Sequence, residues 1–292
     1  MTRRVAVAAH WAERLAHAGL PDVTDLLVRS PTARGGLGRW EALTKPGLGG
    51  RERWRWELNA ADGAVLYVKR YTHTPLKEQL DRLRRQTCRH SRAWWEYQQS
   101  ARLTRQYVPV VQAIAVAEDM DFALERRSVV LFEAVPGDAL DRVWRRLTAA
   151  GAALTRGPAR HDLTRRLARF VSAFHQSGVC HRDLYLCHIF ADLDPAAGRP
   201  PRFTLIDLAR THSPRLRRTR WLLKDLAQLD ASARAVAATR TDRLRFLCTY
   251  LGLAAGAPRV RWYARRIARW SNRILRRIAR QAQRAAARGP AA

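Results

Sequence analysis

The strongest constraint on the fold is a change of hydrophobic period partway along the chain. In RERWRWELN (51–59), Trp54, Trp56 and Leu58 alternate with Arg53, Arg55 and Glu57. That two-residue period belongs to a strand with one buried face. AADG supplies a hairpin turn, and AVLYVKRY (64–71) is the returning strand. VVQAIAVAE and SVVLFEAV predict two further strands, with EDMDFALERR between them. Past Pro136 the period becomes helical. Leu163, Leu167, Phe170, Val171 and Phe174 line one face of a helix over 161–176, which Gly178 ends. Strands first and helices later predict an α+β chain in two lobes. The first is a small antiparallel-sheet lobe with one main helix, and the second is larger and mostly helical. A hinge near Pro136 would leave a cleft between the lobes for a ligand.

Local signals fill in the rest. Residues 5–18 read as a helix, 30–38 as a linker and RWEALTKPG as a first strand. Thr74 is placed to cap a helix that has Pro75 at its first position and a break near Cys88, continuing to about Arg105. Short strands around 187–191 and 203–206 flank DLDPAAGRPPR. The expected organisation is an N-terminal extension and linker (1–38), an N-lobe (39–135), a C-lobe (136–257) and a basic amphipathic helix (258–292).

Charge narrows the partners. Among 292 residues, 54 are basic and 25 acidic, a formal net charge of +29. Such a chain seeks anionic partners, although an arginine-rich proteome alone would shift every surface this way. Trp54 and Trp56 would suit base stacking, yet they fit a lobe core better, and no nucleic-acid motif accompanies them. Nucleic acid is therefore disfavoured. Only four of the basic residues are lysines (Lys45, Lys69, Lys77, Lys224), which marks Lys69 and Lys224 as places where a compact ammonium is needed. Four cysteines are too few for a disulfide scaffold, and no secretory signal or bilayer-spanning apolar run is visible, so a cytoplasmic protein is expected.

The chemistry-bearing residues fall in a telling order. Protein-kinase-like phosphotransfer from ATP uses a lysine on the third strand and a glutamate on the next helix to hold it. It also uses a catalytic-loop aspartate as base and a later aspartate that holds Mg²⁺. Lys69 lies in LYVKRY, Glu96 in AWWEYQQSARL, Asp183 in HQSGVCHRDLYLCH and Asp207 in FTLIDLAR. His181 and Arg182 complete the HRD triplet. Gly47, Gly49 and Gly50 offer a loop whose N–H groups could cover phosphates, though it is not G-x-G-x-x-G and reads equally as a glycine-rich turn. Main-chain groups near Glu133 and Val135 sit where a hinge would read the adenine edge.

HRDLYLCHIF, HTPLKEQL, EYQQSARL and LIDLARTHSPRLRRTRWLLKDL together resemble the lipopolysaccharide kinases, the Kdo/heptose kinase family with a protein-kinase-like fold, over roughly residues 40–280. The resemblance implies transfer of the ATP γ-phosphate to a sugar hydroxyl of the lipopolysaccharide inner core, typically a heptose. Asp183 is then the base, Asp207 the metal ligand and Lys69 with Glu96 the phosphate-positioning pair. Acyl carrier protein is a partner implied by some members. Another small hydroxylated acceptor and a non-catalytic kinase-like binding module are the alternatives.

Some features depart from protein kinases. Leu208 and Ala209 follow Asp207 in place of Phe-Gly, and no A-P-E follows, which leaves little room for a phospho-regulated segment. His188 stands where kinases carry the asparagine for a second Mg²⁺, and imidazole is a poor ligand for that ion. Either one metal suffices, or His188 contacts a phosphate or orients Asp183. Zinc is the rival reading of Cys180, His181, Cys187 and His188, but C-H-x₅-C-H is not a usual zinc spacing. Cys187 reads as a buried small residue. Asp225 is placed to brace the catalytic loop and Lys224 to meet an anion. RTHSPRLRRTR (210–220) would meet the anionic acceptor, and eleven arginines without an acidic residue occupy 258–292. Tyr263, Ile267, Trp270, Ile274 and Ile278 recur there at helical spacing. That stripe would pack on the C-lobe, or leave the arginine face to rest on the inner leaflet of the inner membrane.

Overall fold

The computed structural model describes residues 2–30, 38–43, 50–58, 63–193 and 200–287. The chain divides into two compact units. The first comprises Met1–Val135 with Ile206–Ser213, and the second Pro136–Leu205 with Pro214–Ala292.

The first unit is built on a six-stranded antiparallel sheet. Its strands are β1 (Thr2–Val7), β2 (Arg39–Ala42), β3 (Arg51–Glu57), β4 (Val65–Tyr71), β5 (Ala113–Asp121) and β6 (Leu124–Glu133), in the order β1-β5-β6-β4-β3-β2. The alternation in β3 works as its sequence predicts. Trp54 and Trp56 are 5% and 1% exposed, and Trp40 of β2 stacks on Trp56 at 4.4 Å between ring centroids. Burial removes both tryptophans from any base-stacking role. One face of the sheet packs with α1 (Ala9–His17) and α2 (Asp25–Val28) through Trp11, Leu15, Leu26 and Leu27. On the other face, Tyr71, Val116, Val130 and Phe132 pack with Ala93 of α4 (Arg92–Arg105).

Two local readings need correction. Residues 5–7, expected to open a helix, are strand: Thr2–Val7 pairs with β5 from Thr2 opposite Met120 to Val7 opposite Ala115, and the helix begins at Ala9. The available sheet edge, and not the apolar run itself, decides the conformation there. Thr74 does not cap α3 (Leu76–Arg85); Pro75 occupies the cap position, and no side-chain cap bond forms.

The second unit is mostly helical, with α5 (Leu140–Ala149), α6 (Gly157–Gln176), α7 (Arg218–Ala235), α8 (Arg240–Leu251) and α9 (Pro258–Ala287). A small antiparallel sheet of β7 (Asp138–Ala139), β8 (Ile189–Asp192) and β9 (Arg202–Leu205) accompanies them. Leu163, Val171 and Phe174 of α6 are buried, the face its periodicity predicts. Gly178 takes φ +84, the left-handed conformation that ends the helix with least steric penalty. α9 packs on α7 and α8, with Val260, Tyr263 and Ile267 buried; the first part of its apolar stripe is thus a packing face, while Ile278 is exposed. Among the described residues no helix is long and apolar enough to cross a membrane.

Candidate active site

In the first unit, β4 and α4 bring an ammonium and a carboxylate together. Lys69 Nζ lies 2.6 Å from Glu96 Oε1 and 3.0 Å from Asp207 Oδ1. Glu96 is fully buried, and Tyr71 donates its hydroxyl to Glu96 Oε2 at 3.3 Å. Burial opposes charge on Lys69, but the Asp207 and Glu96 carboxylates outweigh it and hold its pKa above the ordinary value. Burial also raises Glu96; Lys69 opposes that rise and the Asp207 charge adds to it. The two directions are compatible, because two carboxylates share one ammonium. The cluster is thus a place where further positive charge would be welcome.

Asp207 belongs to this first unit although the chain around it is second-unit sequence. Gln86 Nε2 donates to the Ala209 and Thr211 carbonyls at 2.7 and 3.1 Å, and Trp95 Nε1 donates to the Thr211 carbonyl at 2.9 Å. Asp207 itself sits at φ +60, a left-handed conformation that aspartate tolerates better than most residues. Arg53 adds a second cation, 3.7 Å from Asp207 Oδ2. No local pattern points to Gln86, Trp95 or Arg53 as site residues, since each acts through tertiary contacts.

HTPLKEQL also acquires a structural role. Glu78 pairs with Arg51 at the start of β3 and with Arg92 at the start of α4, one turn before Glu96. Burial pushes the Glu78 carboxyl up, but the Arg51 hydrogen bond and the Arg92 charge prevail and hold it below its ordinary value of 4.5. A lowered carboxylate contributes stability above its unfolded pKa and loses it as pH falls through the folded one. Glu78→Gln is expected to cost about 1–2 kcal/mol at neutral pH, discounted for its partial exposure. The gap in melting temperature between wild type and variant should close below about pH 4.5, which thermal melts from neutral to acid pH would check.

The glycine loop is only partly described. Gly47 and Gly49 lie outside the described residues. At Gly50 a Cβ would meet the His73 carbonyl at 2.4 Å, and the Gly50 carbonyl accepts from Thr72 N at 2.8 Å. Close backbone approach therefore explains this glycine. Glu133 N donates to the Gln112 carbonyl at 3.0 Å, so this N–H is used within the fold; Val135 follows β6 and is half-buried.

In the second unit, the HRD loop hangs from α7. Asp225, fully buried, accepts from His181 N at 2.7 Å and from Arg182 N at 2.8 Å. Gln228 donates to the Arg182 carbonyl at 3.0 Å and accepts from Leu184 N at 3.3 Å. Arg182, buried and at φ +70, sets its guanidinium 5.7 Å from the Trp221 ring centroid. His181 is buried against Phe174. His188 Nδ1 lies 2.7 Å from the Asp183 carbonyl, which only accepts, so Nδ1 carries the proton and the imidazole buttresses the loop at Asp183.

Cys180 and Cys187 lie in different surroundings, one buried and one exposed. Burial pushes the Cys180 thiol up to about 12. Cys187 is exposed, contrary to expectation: the 3-10 turn Leu186–His188 turns Leu186 inward and its neighbour out. Among the described residues no three His, Cys, Asp or Glu side chains group to hold a metal ion.

Known proteins resemble the chain in sequence and in fold. The chain is similar to the lipopolysaccharide core heptose(I) kinase WaaP of Pseudomonas aeruginosa, 43% identical over 89 residues, 30% of this chain and 33% of that protein. The WaaP of Escherichia coli K12 is 36% identical over 93 residues, 31% of this chain and 35% of that protein. The aligned segments span about a third of the length of these relatives. A solved structure titled "WaaP in complex with acyl carrier protein" matches 91% of this chain and 99% of its own with a TM-score of 0.62 at 24% identity, which shows the two-lobed α+β kinase-like fold. The family model for "Lipopolysaccharide kinase (Kdo/WaaP) family" matches residues 50–250, over half the chain, and the chain belongs to that family.

Proposed function

We propose that this protein transfers the γ-phosphoryl group of ATP to a sugar hydroxyl, a heptose or Kdo, of the lipopolysaccharide inner core. The observation that carries the reading is the Lys69–Glu96–Asp207 cluster, in which Glu96 is buried while Lys69 and Asp207 remain partly exposed. One ammonium and one carboxylate set beside it are what nucleotide phosphates and their metal ion require. Asp207 offers an oxygen donor suited to Mg²⁺, an ion that takes one or two carboxylates and fills its remaining sites with phosphate oxygens and water. Bound there, the ion would neutralise developing charge on the phosphates. Lys69, held by Glu96, would orient the α- and β-phosphates. Asp183, on a loop fixed by Asp225 and Gln228, would take the proton of the acceptor hydroxyl.

The relatives named as heptose(I) kinases support the acceptor class, and the neighbour solved with acyl carrier protein supports that acidic protein as a partner here. A lipid-linked acceptor further implies work at the cytoplasmic face of a membrane. Radiolabel from ATP should appear in purified core lipopolysaccharide when protein and Mg²⁺ are present, and locating the phosphate would identify the hydroxyl. A folded protein that binds ATP yet labels neither core lipopolysaccharide nor its delipidated core sugar would overturn the reading.

A further inference from the structure

α9 (Pro258–Ala287) carries ten arginines and no acidic residue over thirty positions, a rod of about 45 Å. All ten are exposed, and none has a carboxylate partner among the described residues. Arginines such as Arg51, Arg70, Arg92 and Arg160 are paired with acids, and what sets α9 apart is that ten unpaired ones follow one another along a single helix. At 100° per residue the ten fall within an arc of about 160°. Val260, Tyr263, Ile267 and Ser271, the buried positions, lie on the other side. Trp262 falls near the centre of the arginine arc, is 40% exposed and has Arg266 stacked 4.2 Å from its ring centroid. Beyond Leu275 every described side chain of the helix is exposed, Ile278 at 49%.

So many uncompensated guanidinium groups along one line repel one another and call for an extended anion. Apart from Trp262 this face has no apolar centre, which a specific protein interface would normally bury. A flat anionic surface fits better: arginines reach its headgroups, and a lone tryptophan sits at the boundary. We propose that the arginine face of α9, with Trp262 at its middle, docks the protein on an anionic lipid bilayer. α7 links α9 to the HRD loop, since Ser232 accepts from Leu186 N at 3.0 Å and Arg234 donates to Asn272 at 2.7 Å. Docking through α9 would therefore hold the unit that carries the HRD loop at the membrane, where a lipid-linked acceptor would be anchored. That consequence rests on the acceptor reading above; the docking itself does not.

The test is flotation of the full-length protein with phosphatidylcholine vesicles, with and without phosphatidylglycerol, at low and high salt. Binding should require the anionic lipid and fall with salt. The variant Arg269→Gln/Arg273→Gln/Arg280→Gln/Arg284→Gln should lose partitioning about 100-fold or more, since each basic residue near such a surface contributes about five-fold. Removing the same charge elsewhere, by Arg84→Gln/Arg89→Gln/Arg105→Gln/Arg145→Gln, should change it by less than about five-fold, and both variants should melt like wild type. Equal binding to neutral vesicles, or equal losses in the two variants, would overturn the proposal. So would α9-dependent binding to an acidic protein such as acyl carrier protein with no binding to vesicles. Vesicle binding without phosphotransfer would instead refute the kinase reading and leave the docking surface standing.

Discussion

An Asp183→Ala protein should fold, bind ATP and transfer phosphate at least about 100-fold and up to about 10,000-fold more slowly than wild type. The fold is expected to survive because the loop is held by its main chain. Asp225 and Gln228 fix the N–H groups of His181, Arg182 and Leu184, and His188 and Tyr185 N both donate to the Asp183 carbonyl. Replacing the side chain leaves each of those bonds available. The rate falls because the acceptor hydroxyl then lacks a base at the moment its oxygen attacks the phosphorus. Melting temperature, ATP affinity by calorimetry and radiolabel transfer separate the three properties. Full turnover by the folded variant would exclude Asp183 as the base, and a collapsed melt would mean that the carboxylate supports the fold.

What could be read from the sequence divides along physical lines. β3 and β4 were legible because Trp54, Trp56, Leu66 and Val68 repeat a local period that one buried face requires. That Lys69, Glu96 and Asp207 come together was legible because Lys69 and Glu96 lie within β4 and α4, and Asp207 just after β9, elements whose patterns are readable. The first unit's capture of Ile206–Ser213 was not legible, as it depends on Gln86 and Trp95 bonding to main-chain carbonyls far along the chain. Nor was β1: Thr2–Val7 has no conformation of its own to prefer, and the edge of β5 supplies one. Cys187 misled for a related reason, since the direction of one side chain in a single 3-10 turn depends on its neighbour Leu186 finding the core.

The largest loss of stability is expected at Asp225. Its carboxylate is fully buried and accepts from two backbone N–H groups of the HRD loop, while His175 Nε2 lies 3.3 Å from Oδ2. A carboxylate only accepts, so Nε2 carries the imidazole proton; Nδ1 then accepts from the Tyr250 hydroxyl at 2.9 Å. Burial raises the pKa of that hydroxyl and keeps it a donor. One acid thus ties α8, α6 and α7 to the loop that carries Asp183. Asp225→Ala would strand three buried donors at about 1–3 kcal/mol each, of which partial relaxation should leave about 3–5 kcal/mol. Against a typical total of about 5–15 kcal/mol, that lowers the melting temperature by about 10 °C or more. Asp225→Asn keeps one acceptor oxygen and should fall between the two proteins. Hydrogen exchange at the His181 and Arg182 amides reports the same bonds directly: in Asp225→Asn these two should exchange faster before the rest of α6 and α7 does. If their protection were unchanged while the protein melted normally, the loop would be held by something other than Asp225, and the role assigned to the carboxylate would be wrong.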